Sequence, residues 1–180
     1  MRRLKTALAF AKNVRTTGAL YETSRKVELE ITSKITAAPE QVFVEFGLGH
    51  GNITQEILNH ISPTSRLYSF EVKEEFCAHV AENIQDPRLH ILNHSAAELA
   101  KHVPGPVDGI VSSLPLTLFP TELREQILTG AYAHLRPGAH FSQVMYSKRL
   151  LKKFHQLFDG VEVKRFVSIP FEFIFHCRKE

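Results

Sequence analysis

Val42-Phe43-Val44-Glu45-Phe46-Gly47-Leu48-Gly49-His50-Gly51-Asn52-Ile53-Thr54-Gln55-Glu56-Ile57-Leu58 is the stretch whose reading decides the fold. Val42 to Phe46 is an apolar, β-branched run of the kind that forms a buried parallel strand. Gly47, Gly49 and Gly51 follow, and residues without a Cβ let the backbone turn sharply and approach a ligand closely. Ile53, Ile57, Leu58 and Ile61 recur at helical spacing, so a helix is expected next. Strand, glycine loop and helix together open a nucleotide-binding βαβ unit. A dinucleotide loop would carry G-x-G-x-x-G, but Asn52 stands where its last glycine belongs. Glu45, two residues before the first glycine, would repel a pyrophosphate and suits a ligand with an ammonium or sulfonium centre.

The totals set outer bounds. A chain of 180 residues with 43% apolar content can bury one substantial core and is not a disordered polymer. The net charge of +3 decides little, but its distribution is informative. Arg2, Arg3, Lys5, Lys12, Arg15, Arg25 and Lys26 crowd the start against Glu22 alone, and Lys148, Arg149, Lys152, Lys153, Lys164 and Arg165 form a second group. Two such groups point to an anionic surface, phospholipid or nucleic acid. Cys77 and Cys177 are far apart and lack CxxC spacing, which reads as two free thiols in a reducing compartment. No apolar run reaches the ~18 residues of a spanning helix. Ala7 to Ala11 is too short for a signal core, so a cytoplasmic protein is expected.

Leu4, Ala7, Leu8, Ala11 and Val14 share one helical stripe opposite Arg2, Lys5 and Lys12. Such a basic amphipathic helix can lie on an anionic membrane or pack on its own domain. A second helical pattern (Leu20, Val27, Ile31, Ile35) leads to Pro39. Strands are expected at 66–71, 89–92, 107–112 and 140–145, with helices between them, one running through Leu135 to a stop at Pro137-Gly138. Segments 161–168 and 171–177 read as a closing hairpin. The alternation implies an α/β, Rossmann-like doubly wound sheet of seven strands, mostly parallel with a C-terminal antiparallel hairpin and helices on both faces. Residues 1–40 form a basic helical region over the active site, and 41–180 a single catalytic unit.

In such sheets ligands sit beyond the carboxyl ends of the strands. The first gives Glu45 and the glycines. The second ends at Glu71, about 20 residues past the loop, where an acid that accepts from ribose hydroxyls belongs. The third ends in Asn93-His94-Ser95-Ala96, with His94 read as an ordinary loop histidine, and the fourth in Ser112-Ser113-Leu114-Pro115-Leu116.

Glu45-x-Gly47-x-Gly49-x-Gly51, then Glu71, then Leu135-Arg136-Pro137-Gly138 before a strand, resembles the class I S-adenosylmethionine-dependent methyltransferases. The resemblance implies that Glu45, Gly47, Gly49 and Gly51 face the methionine part of the cofactor and Glu71 the ribose hydroxyls, with Val72 a further cofactor-binding residue. Ser95 and Ala96 would meet the adenine, and Ser112 would complete the pocket. Product would be S-adenosylhomocysteine, and no metal is implied. Ser113-Leu114-Pro115-Leu116 resembles the [D/N/S]-[P/I/L]-P-[aromatic] motif of amino-group methyltransferases, with Leu116 departing from the aromatic that stacks a planar base. The wider stretch from Val107 through Phe119-Pro120, and the basic N-terminus with Lys12-Asn13 and Thr17-Gly18-Ala19-Leu20, is similar to bacterial phosphatidylethanolamine N-methyltransferases.

That similarity implies a lipid amine headgroup as acceptor and an anionic membrane engaged through residues 1–15, on the inner face. Ser113, the Leu114 carbonyl beside Pro115, Tyr146 and Tyr21 are the candidates to orient the amine or accept its proton. A Tyr146 that merely packs at a strand end is an alternative; Thr23 and Ser24 would line the cofactor's carboxylate, with N-cap or helix-surface roles as the alternative. An rRNA adenine N-methyltransferase shares the loop but needs an aromatic at Leu116 and an RNA-binding unit, which makes nucleic acid the weaker partner. Small soluble amines, or a cofactor- or membrane-binding module without catalysis, are the other readings.

Overall fold

The glycine-loop stretch forms the strand, turn and helix expected of it. The computed structural model describes residues 24–167 and 171–180. Helix α1 is Arg25–Ile31, followed by β1 (Val42–Phe46), α2 (Asn52–His60), β2 (Arg66–Phe70), α3 (Glu74–Asn83) and β3 (Leu89–Leu92). A short 3-10 turn, Ala96–Glu98, runs into α4 (Leu99–His102). Then come β4 (Val107–Ser112), a 3-10 turn at Leu116–Leu118, α5 (Thr121–His134), β5 (Leu135–Met145), α6 (Leu151–Leu157), β6 (Gly160–Phe166) and β7 (Glu172–Arg178). The first expected helix, with Tyr21 and Thr23, lies outside the described residues.

One seven-stranded sheet has the order β3-β2-β1-β4-β5-β7-β6. The pairs from β3 to β5 are parallel, while β7 runs antiparallel to both β5 and β6. Period-two alternation sends successive residues to opposite faces. Along β1, Val44 and Phe46 join a core with Phe70, Leu123, Ile127, Phe141 and Phe154 beneath α5 and α6. Phe43 joins Val27, Ile31, Ile53, Ile57 and Ile174 beneath α1 and α2. Both faces are covered, which is why these strands read as unbroken apolar runs. Chain order reverses at β1, flanked by β2 and β4, and the gap this opens beyond their carboxyl ends is where such sheets take ligands.

Two boundaries differ from expectation. The helix expected through Leu135 ends at His134, and Leu135 already pairs with Val107. The register then slips, Gly109 facing His140, so Arg136-Pro137-Gly138 bulges out of the strand. Pro137 has no N–H for the ladder and Gly138 takes φ 84°, so local chemistry favours a bulge over a helix stop. Of the second helical pattern, the described residues form a helix at Arg25–Ile31. Thr32 ends it, its hydroxyl donating back to the carbonyls of Glu28 and Leu29, and Ile35 packs beyond the helix against the α1–α2 core.

Candidate active site

The glycine loop is built by its dihedrals. Gly47 (φ 88°), Gly49 (φ 54°) and Gly51 (φ 91°) are all left-handed, a region costly for residues with a Cβ. At Gly51, the N-cap of α2, a Cβ would also lie 3.0 Å from Ile84 Cδ1 and 3.1 Å from Val80 Cγ2. Gly47 N–H donates to the Phe70 carbonyl (2.9 Å), tying the loop to the end of β2.

Both expected carboxylates are buried at this loop. Glu45 is 1% exposed, and its Oε2 accepts from the hydroxyls of Thr54 (2.8 Å) and Ser69 (2.6 Å). It thereby joins β1 to α2 and β2, the two flanks of the loop. Glu71 is 2% exposed; Oε2 accepts from Gly49 N–H (3.2 Å), and Oε1 from Val72 N–H (2.9 Å) and Lys73 N–H (3.1 Å). One carboxylate therefore links the glycine loop to the turn after β2. Charge-assisted bonds of this kind are the stronger class, and the two oxygens offer about four acceptor sites.

A crevice lies against this junction, lined by Gly47, Phe70, Glu71, Val72, His94, Ser95, Ala96, Leu114, Pro115, Phe119, Leu123 and Ile127. Of the expected cofactor residues, Gly47, Glu71, Val72, Ser95 and Ala96 form its walls. Ser95 Oγ caps the following turn by accepting from Ala97 N–H (3.3 Å). Ser112 is fully buried behind the wall, its Oγ accepting from Leu114 N–H (3.4 Å). His94 is part of the lining and stacks on His102, ring centroids 3.9 Å apart. Phe70, Leu123 and Ile127 carried only a core signal in the sequence, and they supply the apolar side of the crevice.

The fourth-strand motif meets the loop directly. Ser113 N–H donates to the Phe46 carbonyl (3.0 Å), and its hydroxyl donates to the Gly47 carbonyl (2.8 Å). With its proton so placed, the Ser113 oxygen keeps acceptor capacity. The Leu114 carbonyl, by contrast, already accepts from Leu116 N–H (2.8 Å) and from Gln143 Nε2 (2.9 Å), which engages both lone pairs. Gln143, on β5 and fully buried, has an Oε1 with no hydrogen-bond partner among the described residues. Nothing in the sequence marked it, since a glutamine in an apolar strand shows its role only when the neighbouring strand end is known. Tyr146 stands past β5, 43% exposed and outside the crevice lining. Partial burial, with the Glu172 carboxylate adding, raises its hydroxyl pKa.

A carboxylate and hydroxyl on one side, an apolar and aromatic wall on the other and a glycine turn between them form a donor set that fits a nucleoside with a small cationic tail. A family model described as a methyltransferase domain matches residues 43–138, just over half of the chain. Ornithine lipid N-methyltransferase of Singulisphaera acidiphila is 24% identical over 123 residues, covering 66% of this chain. The match spans 64% of that relative, less than two thirds of its length. Among solved structures, a precorrin-6y C5,15-methyltransferase from Geobacter metallireducens superposes with TM-score 0.75 at 16% identity, over 91% of this chain and 93% of that one. The 1,6-didemethyltoxoflavin N1-methyltransferase of Burkholderia thailandensis, solved with its substrate and S-adenosylhomocysteine, gives 0.68 at 16% over 99% and 86%. At these identities the structures speak for the shared fold.

Proposed function

Because the chain belongs to the methyltransferase-domain family, we propose that it is an S-adenosylmethionine-dependent methyltransferase whose acceptor is an amine, specifically a phospholipid headgroup such as phosphatidylethanolamine. The observation that carries the amine reading is the bond from Ser113 Oγ to the Gly47 carbonyl, which puts the fourth-strand motif against the cofactor loop. The lipid reading is supported by the similarity to an ornithine lipid N-methyltransferase and by the basic groups of the chain. Residues 41–180 would be the catalytic unit and residues 1–40 the region over its mouth. No helix among the described residues is long and apolar enough to cross a membrane. Peripheral attachment to the cytoplasmic leaflet is part of the proposal.

The cofactor supplies an activated methyl on a sulfonium, open to in-line attack by a nitrogen lone pair. Glu71 would accept from the ribose hydroxyls, and Ser95 and Ala96 would flank the adenine. Ser113 Oγ would accept an N–H of the amine and so aim its lone pair; with both lone pairs engaged, the Leu114 carbonyl would serve to hold the turn. An alkylammonium has a pKa of roughly 10, so it must lose a proton before it attacks. The apolar faces of Leu114, Pro115 and Phe119 would exclude water and favour the neutral amine. Positioning in a dry site supplies the rate.

Labelled cofactor incubated with the protein and anionic vesicles containing phosphatidylethanolamine should yield labelled mono-, di- or trimethylated lipid. Cofactor uptake with inert vesicles, and label appearing in RNA or a soluble amine instead, would replace the lipid reading.

A further inference from the structure

Among the described residues, the exposed large apolar side chains are Leu29, Leu118, Tyr146, Val167 and Phe171. All but Leu29 lie past one edge of the sheet. Leu118 follows the end of β4 and Tyr146 the end of β5. Met145 pairs with Phe173 and Phe166 with Glu172, so the antiparallel register brings Val167 and Phe171 to that same edge. It is also the edge of the glycine loop, Glu71 and Ser113. From β4 to β7 is two strand spacings, roughly 10 Å.

The cations here fall into two sets. Lys34 and Lys164 pair with Glu162, and Lys153 with Glu125. Among the described residues Lys148, Arg149 and Arg165 pair with no carboxylate. Instead the Arg165 guanidinium lies 4.4 Å from the Phe171 ring centre and Lys148 Nζ 5.5 Å from that of Phe173. Val167 is 89% exposed and Phe171 47%. Apolar tips beside aromatic rings, ringed by unpaired cations, match the layering of a lipid interface, where acyl chains lie below a plane of phosphates.

We propose that this shoulder of the β6–β7 hairpin, with Tyr146, Lys148 and Arg149, is a docking surface for an anionic phospholipid bilayer. Val167 and Phe171 enter the acyl boundary, and Lys148, Arg149 and Arg165 sit at the phosphates. The crevice then faces the headgroup layer from the side, a second contact besides the one assigned to residues 1–15. The inference rests on the lipid-headgroup reading, and its test separates the two.

The full chain and the Val167→Ser/Phe171→Ser variant are sedimented with vesicles of phosphatidylethanolamine and phosphatidylglycerol. Turnover is followed on those vesicles and on monomeric dibutyryl phosphatidylethanolamine. The variant should partition about tenfold more weakly and lose vesicle turnover, while turnover of the monomeric lipid stays within about twofold. Equal partitioning of variant and parent overturns the surface. A parent that methylates the monomer yet never sediments overturns it too and leaves the lipid reading standing. A parent that sediments through this shoulder but methylates neither lipid preserves the surface and removes the reading. Should the variant also lose monomer turnover, Lys148→Glu/Arg149→Glu with the hairpin intact decides, and unchanged sedimentation overturns the proposal.

Discussion

Gln143 and Glu71 each hold more of the site together than their residue types suggest. Gln143 donates to the carbonyls of Leu114 (2.9 Å) and Val144 (2.6 Å), while its own oxygen is buried with no partner among the described residues. An orphaned amide oxygen costs free energy, so this anchoring of the Leu114 turn comes at some expense to stability. Gln143→Leu should therefore shift the melting temperature by only a few degrees. The freed Leu114 turn should lower kcat about tenfold, with cofactor KM nearly unchanged, in steady-state kinetics. A parallel fall in stability and both kinetic constants would mean the amide only fills the core. Glu71 gathers three backbone N–H groups from two loops. Glu71→Ala should weaken S-adenosylmethionine binding by ~1–3 kcal/mol in a calorimetric titration. Its effect should exceed that of Glu71→Gln, which retains an acceptor oxygen for Gly49.

Among the elements, α1 is short, yet Val27 and Ile31 are fully buried on the sheet and its polar side is anchored as well. His176 on β7 is 1% exposed and bridges Ser142 on β5 (2.8 Å) and Glu30 on α1 (3.1 Å). The neutral ring satisfies both, accepting from one and donating to the other. Burial lowers the His176 pKa, with Lys34 acting the same way and Glu30 and Glu162 against it. His140 is shifted down too, first by burial and then by Lys34 and His176. Each has a folded pKa below the unfolded value near 6.5, so the unfolded state takes up protons first as pH falls. Stability is thus full above about pH 6.5 and declines below it, until the folded-state pKa is passed. Melting temperatures at pH 7.5 and 5.5 should differ, and His176→Gln should make the slope shallower. An unchanged slope would assign it to other groups.

At the scale of the whole molecule, two cores on opposite faces of one sheet hold the strand ends in register, and the crevice is a consequence of their order. Deleting residues 1–15 should reduce vesicle binding while leaving cofactor affinity largely intact. Loss of both, by sedimentation and calorimetry, would make that segment part of the core. Strand, glycine loop and helix at 42–58 were legible in the sequence because their signals are local: an apolar run, three glycines that need φ above zero, and a helical period. That Glu71 and Ser113 follow strand ends was legible as well. The bulge at 136–138 was not, since Pro-Gly ends helices and interrupts strands alike, and only pairing with β4 chose between them. The reach of Gln143 to Leu114, the hydroxyl of Ser113 on Gly47 and the bridge of His176 to Glu30 join residues distant in sequence. By itself the sequence determined most of the elements and which residue types stand at their ends, because propensity and periodicity act over a few residues. The tertiary structure alone decided which polar groups meet, because a hydrogen bond between strands depends on register and on the neighbour that topology supplies.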